Sequence, residues 1–330
     1  MATYKEIKGT QIEAVATDPS NPVEGQVWYN TTSNVLKGHK VLATGSWATG
    51  NALNTARANA AGFGTTSAGV TAGGNNPGKI ANVEYYNGTN WTEVNDLNTA
   101  RTQTDGAGTF TAGLVFSGNV PPETGKTESF NGTNWTEVND MNTARRNGAG
   151  GGTQTSAITV AGYVGTAVAN TETWNGTNWA ETTDINTTRY SLAAAAESNT
   201  AALVFGGYEP PPADTNSVKT ELWNGSNWTE VNDMNQLREA LAGIGVSTAA
   251  LTFGGSKGGP GPAAETELWN GTNWTEVNDL NQARSQMPQG SGTSTAGLGY
   301  GGQTPASPGF LTNNEIWSGT TPSTVTFTDS

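Results

Sequence analysis

Residues 87–96 read Asn-Gly-Thr-Asn-Trp-Thr-Glu-Val-Asn-Asp, and the same ten residues return at 131–140 and 270–279. Near-copies begin at Asn175 and Asn224. An arginine keeps step with them, at Arg57, Arg101, Arg145, Arg189, Arg238 and Arg284, with spacings of 44, 44, 44, 49 and 46 residues. Periods of this length are those of propeller blades, one small sheet per repeat. Within a period, a small-residue stretch such as 102–109 reads as strand a and an apolar stretch such as 201–205 as strand b, which ends in Gly206-Gly207. Glu221-Leu222-Trp223 reads as strand c. An Asn-Gly turn, expected as a tight type I′ hairpin because both residues tolerate positive φ, leads to strand d at Trp228. Gly, Asn and Thr at this density oppose helix. The expected fold is all-β: a six-bladed propeller of four-stranded blades.

The fixed and variable spacings divide scaffold from surface. From strand-d tryptophan to the next arginine is ten residues in all six cases, from Trp47–Arg57 to Trp274–Arg284. From the glycine-pair position to the next strand-c aromatic the distance runs 13, 13, 13, 17, 15 and 16. The variation therefore sits in the loop between strands b and c, and a rigid repeat with one variable loop is how a scaffold presents a binding surface. The strand-c aromatics are Tyr86, Phe130, Trp174, Trp223, Trp269 and Trp317. Trp47 precedes any complete a–b–c set, and Pro322 stands where a last tryptophan would fall, so the strand around Trp47 is expected to pair with the strands ending at Trp317 and close the ring. The alternative puts residues 323–327 in the last blade and Trp47 in a rudimentary seventh. The domains expected are 1–45, an attachment arm with a small hairpin (26–29 with 34–37), and 46–330, the propeller.

Composition excludes several functions. The 330 residues contain no cysteine and one histidine, His39, so no Cys/His metal cluster is possible, and no metal or cofactor is expected. A net charge of −13 argues against nucleic acid, whose phosphates need a basic surface. No apolar run of about 18 residues is present for membrane insertion, and MATYKEIKGT lacks the apolar core of a secretory signal, so work outside a cell implies release by lysis or as part of a particle. His39 precedes the repeats, which leaves no Ser–His–Asp arrangement among repeat positions; a binding protein rather than an enzyme is expected.

Six strand-c glutamates, Glu84, Glu128, Glu172, Glu221, Glu267 and Glu315, match the six arginines, and one pair per blade reads as a structural salt bridge, bidentate where geometry permits. The periodic tryptophans read as packing between blades, and Trp28, outside the repeat, as a hairpin anchor. Asn-Gly-Thr and Asn-Trp-Thr satisfy the N-glycosylation pattern but coincide with turns, and the turn reading wins. Asp96, Asp140, Asp184, Asp233 and Asp279 are lone acids, too sparse for calcium, and are expected to bond their own turns. The b–c loops (75–83, 119–127, 163–171, 208–220, 256–266, 303–314) hold Lys79, Lys126, Lys219 and Lys257 together with Tyr163 and Tyr208. These six residues are the expected ligand-binding rim, locally positive on an acidic body.

The Gly-Gly ending strand b, the strand-c aromatic and the strand-d tryptophan, over roughly 46–319, resemble the kelch repeat; the glycine pair is Ser117-Gly118 and Ala161-Gly162 in two repeats. The opening DPSNPVEGQVWYNTTSNVLKG, followed by NGTNW repeats, resembles virion structural and tail-fibre-like proteins of marine phages, cyanophages especially. That resemblance implies a virion location, assembly in a host cytoplasm where no glycan is added, other virion proteins as partners of the N-terminal segment, and a host-surface glycan or protein as the partner of the b–c face. Capsid decoration is the second expectation, and a glycan-degrading enzyme on the same fold the third.

Overall fold

In the computed structural model of the protein, residues 12–19, 26–40, 45–258, 261–305, 309–319 and 323–327 are described, and they form strands and turns with no helix. The chain divides into two compact units, residues 45–318 and residues 1–44 with 319–330.

In the larger unit, the first repeat forms an antiparallel sheet of strands a (Ala61–Thr65), b (Ala68–Ala72), c (Val83–Tyr86) and d (Trp91–Val94). Four further repeats build the same sheet, their a strands being Asp105–Thr109, Ala149–Thr153, Ala193–Ser198 and Ala242–Val246. A sixth sheet joins Ser291–Thr293, Ala296–Tyr300 and Asn314–Ser318 to Ser46–Gly50, with Trp47 opposite Trp317. The first repeat strand in the chain is thus strand d of the last sheet. The arrangement is that of propeller-like small sheets, each strand a lying beside the strands a of its neighbours.

The local chemistry explains the repeat. Gly73 and Gly74, which end strand b, have φ of +68° and +100°, and a Cβ on Gly74 would come within 2.7 Å of the Ala58 carbonyl oxygen. Ser117 (φ +66°) and Ala161 (φ +58°) keep the same left-handed backbone at the first of these positions. The Asn-Gly turn differs from the two-residue type I′ hairpin expected. Tyr86 pairs with Trp91 across a four-residue loop, and of Asn87-Gly88 only the glycine has positive φ. The Asn87 side-chain oxygen accepts from the backbone N–H of Thr89 (3.0 Å) and Asn90 (2.8 Å), and Asn131, Asn175, Asn224 and Asn270 repeat the pattern. In the following Asn-Asp-X-Asn loops the bonding falls chiefly to the asparagines: Asn95 reaches Thr133 and Asn134, while Asp96 is exposed and Asp279 accepts from Thr266 N–H.

Each repeat arginine meets its glutamate with both side chains buried, at 2.5–3.0 Å. The contact is a single Nη2–Oε1 bond rather than the bidentate fork. The second carboxylate oxygen is taken by the linker arriving from strand d: Glu84 Oε2 accepts from Asn54 N–H (2.7 Å) and Asn54 Nδ2 (2.9 Å). Burial pushes the Arg284 guanidinium down to about 10, with Glu315 opposing the fall, so it stays charged at neutral pH.

Strand-d tryptophans lock neighbouring sheets. The Nε1 of Trp179, Trp228, Trp274 and Trp47 donates to the hydroxyl of Thr127, Thr171, Thr220 and Thr266, each on strand c of the adjacent sheet. At the two remaining junctions this threonine is replaced. Val83 stands opposite Trp135, which turns to the Asn95 carbonyl (3.0 Å). Asn314 begins strand c of the sixth sheet, and both Trp91 Nε1 and Asn314 Oδ1 are buried without a partner. Asn314→Thr is expected to pair the Trp91 indole as in the other sheets and to raise stability by about 1 kcal/mol in denaturant unfolding; a destabilised variant contradicts that pairing.

In the smaller unit, Glu13–Val15 runs parallel to Val27–Asn30, which forms a hairpin with Val35–Lys40. Asp18 gathers this motif: its carboxylate accepts from Trp28 Nε1 (3.0 Å), Asn30 Nδ2 (2.7 Å) and Lys37 Nζ (2.7 Å), and these bonds hold its pKa down at about 2. Trp28 is fully buried here as the hairpin's anchor. The boundary drawn from sequence at 46–330 shifts at its far end. Ser323–Phe327 adds to this sheet, from Leu36 opposite Phe327 to Lys40 opposite Ser323, because its main chain finds its partners on Val35–Lys40 and not on Asn314–Ser318. His39 lies within Val35–Lys40, and Pro322 and residues 1–11 fall outside the described residues.

Candidate functional site: the b–c face and an adjoining recess

The b–c loops share a face of the larger unit with the linkers that enter strand a. The residue after each repeat arginine bridges the first residue of a b–c loop: Ala58 with Asn75, Thr102 with Asn119, Arg146 with Tyr163, Tyr190 with Tyr208, Glu239 with Ser256, and Ser285 with Gln303. Four of these bridges are made of small or amide side chains with one glutamate. The third and fourth concentrate aromatic rings and a cation.

There the side chains form a row. The Arg146 guanidinium lies 5.0 Å from the Tyr163 ring centroid, Tyr163 meets Tyr190 edge-on at 5.4 Å, and Tyr190 meets Tyr208 at 5.3 Å. All four are half-buried, so they are fixed by one another yet present surface to solvent. Arg146 is further held by Glu123 (3.3 Å) and by Gln103 Oε1 (3.3 Å), and the Tyr208 hydroxyl donates to Asp214. That hydrogen bond pushes the Tyr208 hydroxyl up to about 12, and burial raises Tyr190, so both rings are neutral near pH 7.

Of the residues named from sequence, Tyr163 and Tyr208 therefore come together, with Tyr190 between them. Three of the four lysines expected in the rim have acidic partners. Lys126 pairs with Glu137 (2.9 Å), Lys219 with Glu209 (3.0 Å) and Lys257 with Glu265. The carboxylates come from the facing strand d or from the same b–c loop. Lys79 remains exposed, at the edge of a recess shared with Asn75, Thr102 and Asn119. Arg146 and Tyr190 escaped the sequence reading because they adjoin the invariant arginines. Their signal was variation at one register position: Ala58, Thr102, Arg146, Tyr190, Glu239, Ser285.

In the same unit, the residues two places after the arginines, Asn59, Gln103, Asn147, Ser191, Ala240 and Gln286, all have φ of +50° to +57°. Their backbones form a relay: Gln103 N–H donates to Asn59 O, Asn147 to Gln103, Ser191 to Asn147, Ala240 to Ser191, Gln286 to Ala240, and Asn59 to Gln286. The six line a recess together with Asp105 and Gln289. Asp105 Oδ2 accepts from Ser117 Oγ at 3.3 Å. Burial pushes its carboxyl up to about 7, against the pull of the Ser117 bond and of Arg145, whose own ion pair is with Glu172.

A folded-state pKa above the ordinary 3.8 means that the fold opposes ionisation of Asp105. The penalty is absent below the unfolded pKa, grows as pH rises, and is complete above about 7. Asp105→Ala is expected to gain stability relative to the native protein over that window, by on the order of 2 kcal/mol once the carboxyl's contact with solvent is allowed for. Unfolding curves at acid and at mildly alkaline pH measure it; a difference that does not change with pH contradicts the assignment.

A scan against protein-family models finds no match to this chain, and a search of the curated proteins finds none.

Proposed function

We propose that the chain is a virion structural protein, tail-fibre-like, whose larger unit is a closed six-bladed propeller of kelch-like blades that binds a host-surface glycan. Six sheets of one pattern, the relay that returns to Asn59, and the entry of Ser46–Gly50 into the last sheet support the closed ring. Pairing the first repeat strand with the last ties the unit's ends together, so that no partial blade has an open edge. The smaller unit, in which Asp18 joins Trp28, Asn30 and Lys37 of the phage-like opening motif, is the attachment segment to other virion proteins.

The observation that carries the binding function is the Arg146–Tyr163–Tyr190–Tyr208 row on an otherwise small and polar face. Tyrosine and arginine are the residues that supply most of the energy at recognition surfaces, because they bring area and a polar tip at low entropic cost. Rings already fixed by their neighbours lose little freedom on binding a sugar or an aglycone face. Immunogold labelling of purified particles, with antibody against the b–c face, tests the role. Label at tail or fibre tips is expected; label over the shell makes the protein a capsid decoration, and unlabelled particles contradict a virion role. Depolymerisation of host polysaccharide by the isolated protein would favour the enzymatic reading.

A further inference from the structure

We propose that the recess lined by the six residues of the backbone relay is itself a binding pocket for a neutral sugar residue, with Asp105 and Gln289 as its recognition groups. The inference deepens the glycan-binding reading above and rests on it for its biological setting, but its recognition groups, Asp105 and Gln289, are not members of the tyrosine row.

The repeat supplies the internal control. By strand register, position 105 corresponds to Ala61, Ala149, Ala193 and Ala242, each the first residue of its strand a. In the sixth sheet Ser291 pairs with Leu298, and two residues earlier the same register falls on Gln289. Four positions at this level are therefore alanine, and the two that are not carry a carboxyl and a carboxamide into one recess. Gln289 Nε2 reaches the Ala194 carbonyl (3.3 Å), on strand a of the fourth sheet, and so makes the pocket's floor. Ser117 stands where most repeats have the first glycine of the pair, and its hydroxyl orients Asp105. Neither residue is needed by the scaffold, since the repeat folds four times with alanine in its place.

The groups left open define the ligand. Asp105 Oδ1 and the side chains of Asn147 and Ser191 have no protein hydrogen-bond partner among the described residues, and Asp105 has no salt bridge. Polar groups in a recess take water or a ligand as partner. The amides offer donors and acceptors together, and the carboxyl adds acceptors. A ligand that satisfies both must itself donate and accept at several points, as hydroxyl groups do, each with one donor and two acceptors. An ammonium ion would leave the amide NH2 groups unpaired, and a phosphate would face the carboxyl. Among the described residues no three acidic or histidine side chains gather to hold a metal.

The test is titration of the full chain in buffer with glucose, galactose, mannose and N-acetylglucosamine, followed by calorimetry and ligand-observed NMR. At least one sugar is expected to bind saturably. Asp105→Ala and Gln289→Ala, each the residue that the other repeats carry, are expected to weaken it by about tenfold or more. Absence of binding by all four sugars, or unchanged affinity in Asp105→Ala, overturns the pocket. A protein that binds sugar through Asp105 but does not adsorb to cells would overturn the tyrosine-row reading and leave the pocket standing.

Discussion

Glu221→Ala is expected to cost about 3–5 kcal/mol in unfolding free energy, a large part of what holds a domain folded. Glu221 is wholly buried and serves four donors at once: Arg189 Nη2 (3.0 Å), Asn186 N–H (2.7 Å), Asn186 Nδ2 (2.8 Å) and Thr187 N–H (3.4 Å). Alanine leaves the Arg189 charge buried and unpaired and frees the linker that turns into strand a. Arg189 also donates from Nη1 to the Gly206 and Lys219 carbonyls, so it cannot leave the site to find water. An isolated buried ion pair can often be exchanged for two apolar side chains with little loss. Here the double replacement Arg189→Met with Glu221→Met is expected to remain strongly destabilised, because two main-chain N–H groups and two carbonyls lose their partners. A double variant of near-native stability would show that the cluster is an ordinary ion pair. A loss under about 1 kcal/mol for Glu221→Ala would contradict its role as the hub.

Trp274→Ala is expected to cost about as much, 3–5 kcal/mol, but for a different reason. The indole is 6% exposed and lies between two sheets: edge-on to Phe205 of the fourth (4.9 Å) and tilted on Trp269 of its own (5.4 Å). Its Nε1 donates to Thr220 Oγ1 at 3.0 Å. Truncation opens a cavity at the junction and orphans a buried hydroxyl, and the neighbouring sheets can fill the space only by moving against the rest of the unit. Trp274→Phe keeps most of the apolar contact, loses the Thr220 bond, and is expected to fall between alanine and the native residue. The midpoint of denaturant unfolding reads the series. A native-like midpoint for the alanine variant would mean that the tryptophans do not lock the sheets together.

The sheet pattern was legible because its chemistry repeats. Arg–Glu partnerships, glycine pairs and Asn-Gly turns recur at fixed distances, and fixed distances in a chain of short strands mean fixed contacts. The pairing of the strand around Trp47 with Trp317 followed from a count of aromatics. What sequence left hidden was contact between residues far apart. Lys126, in the b–c loop just before Thr127, and Glu137, on the facing strand d, lie eleven residues apart, and only the fold shows that they pair. Nothing in the sequence marks Tyr190, next to Arg189, as part of a row of rings; its bridge to Tyr208 does. Asp105 was one acid among 28 acidic residues, unremarked without its register to four alanines. Ser323–Phe327 has no pattern that names Val35–Lys40 as its partner.

The central claim is that the face bearing Arg146, Tyr163, Tyr190 and Tyr208 recognises a host surface. The most direct measurement is adsorption of the fluorescently labelled protein to a panel of marine cyanobacterial cells, native beside a Tyr163→Ala, Tyr190→Ala variant checked for native unfolding. Saturable binding of the native protein to some strains, reduced about tenfold or more in the variant, is the predicted result. Equal binding by both proteins, or adsorption to none of the panel, would contradict it.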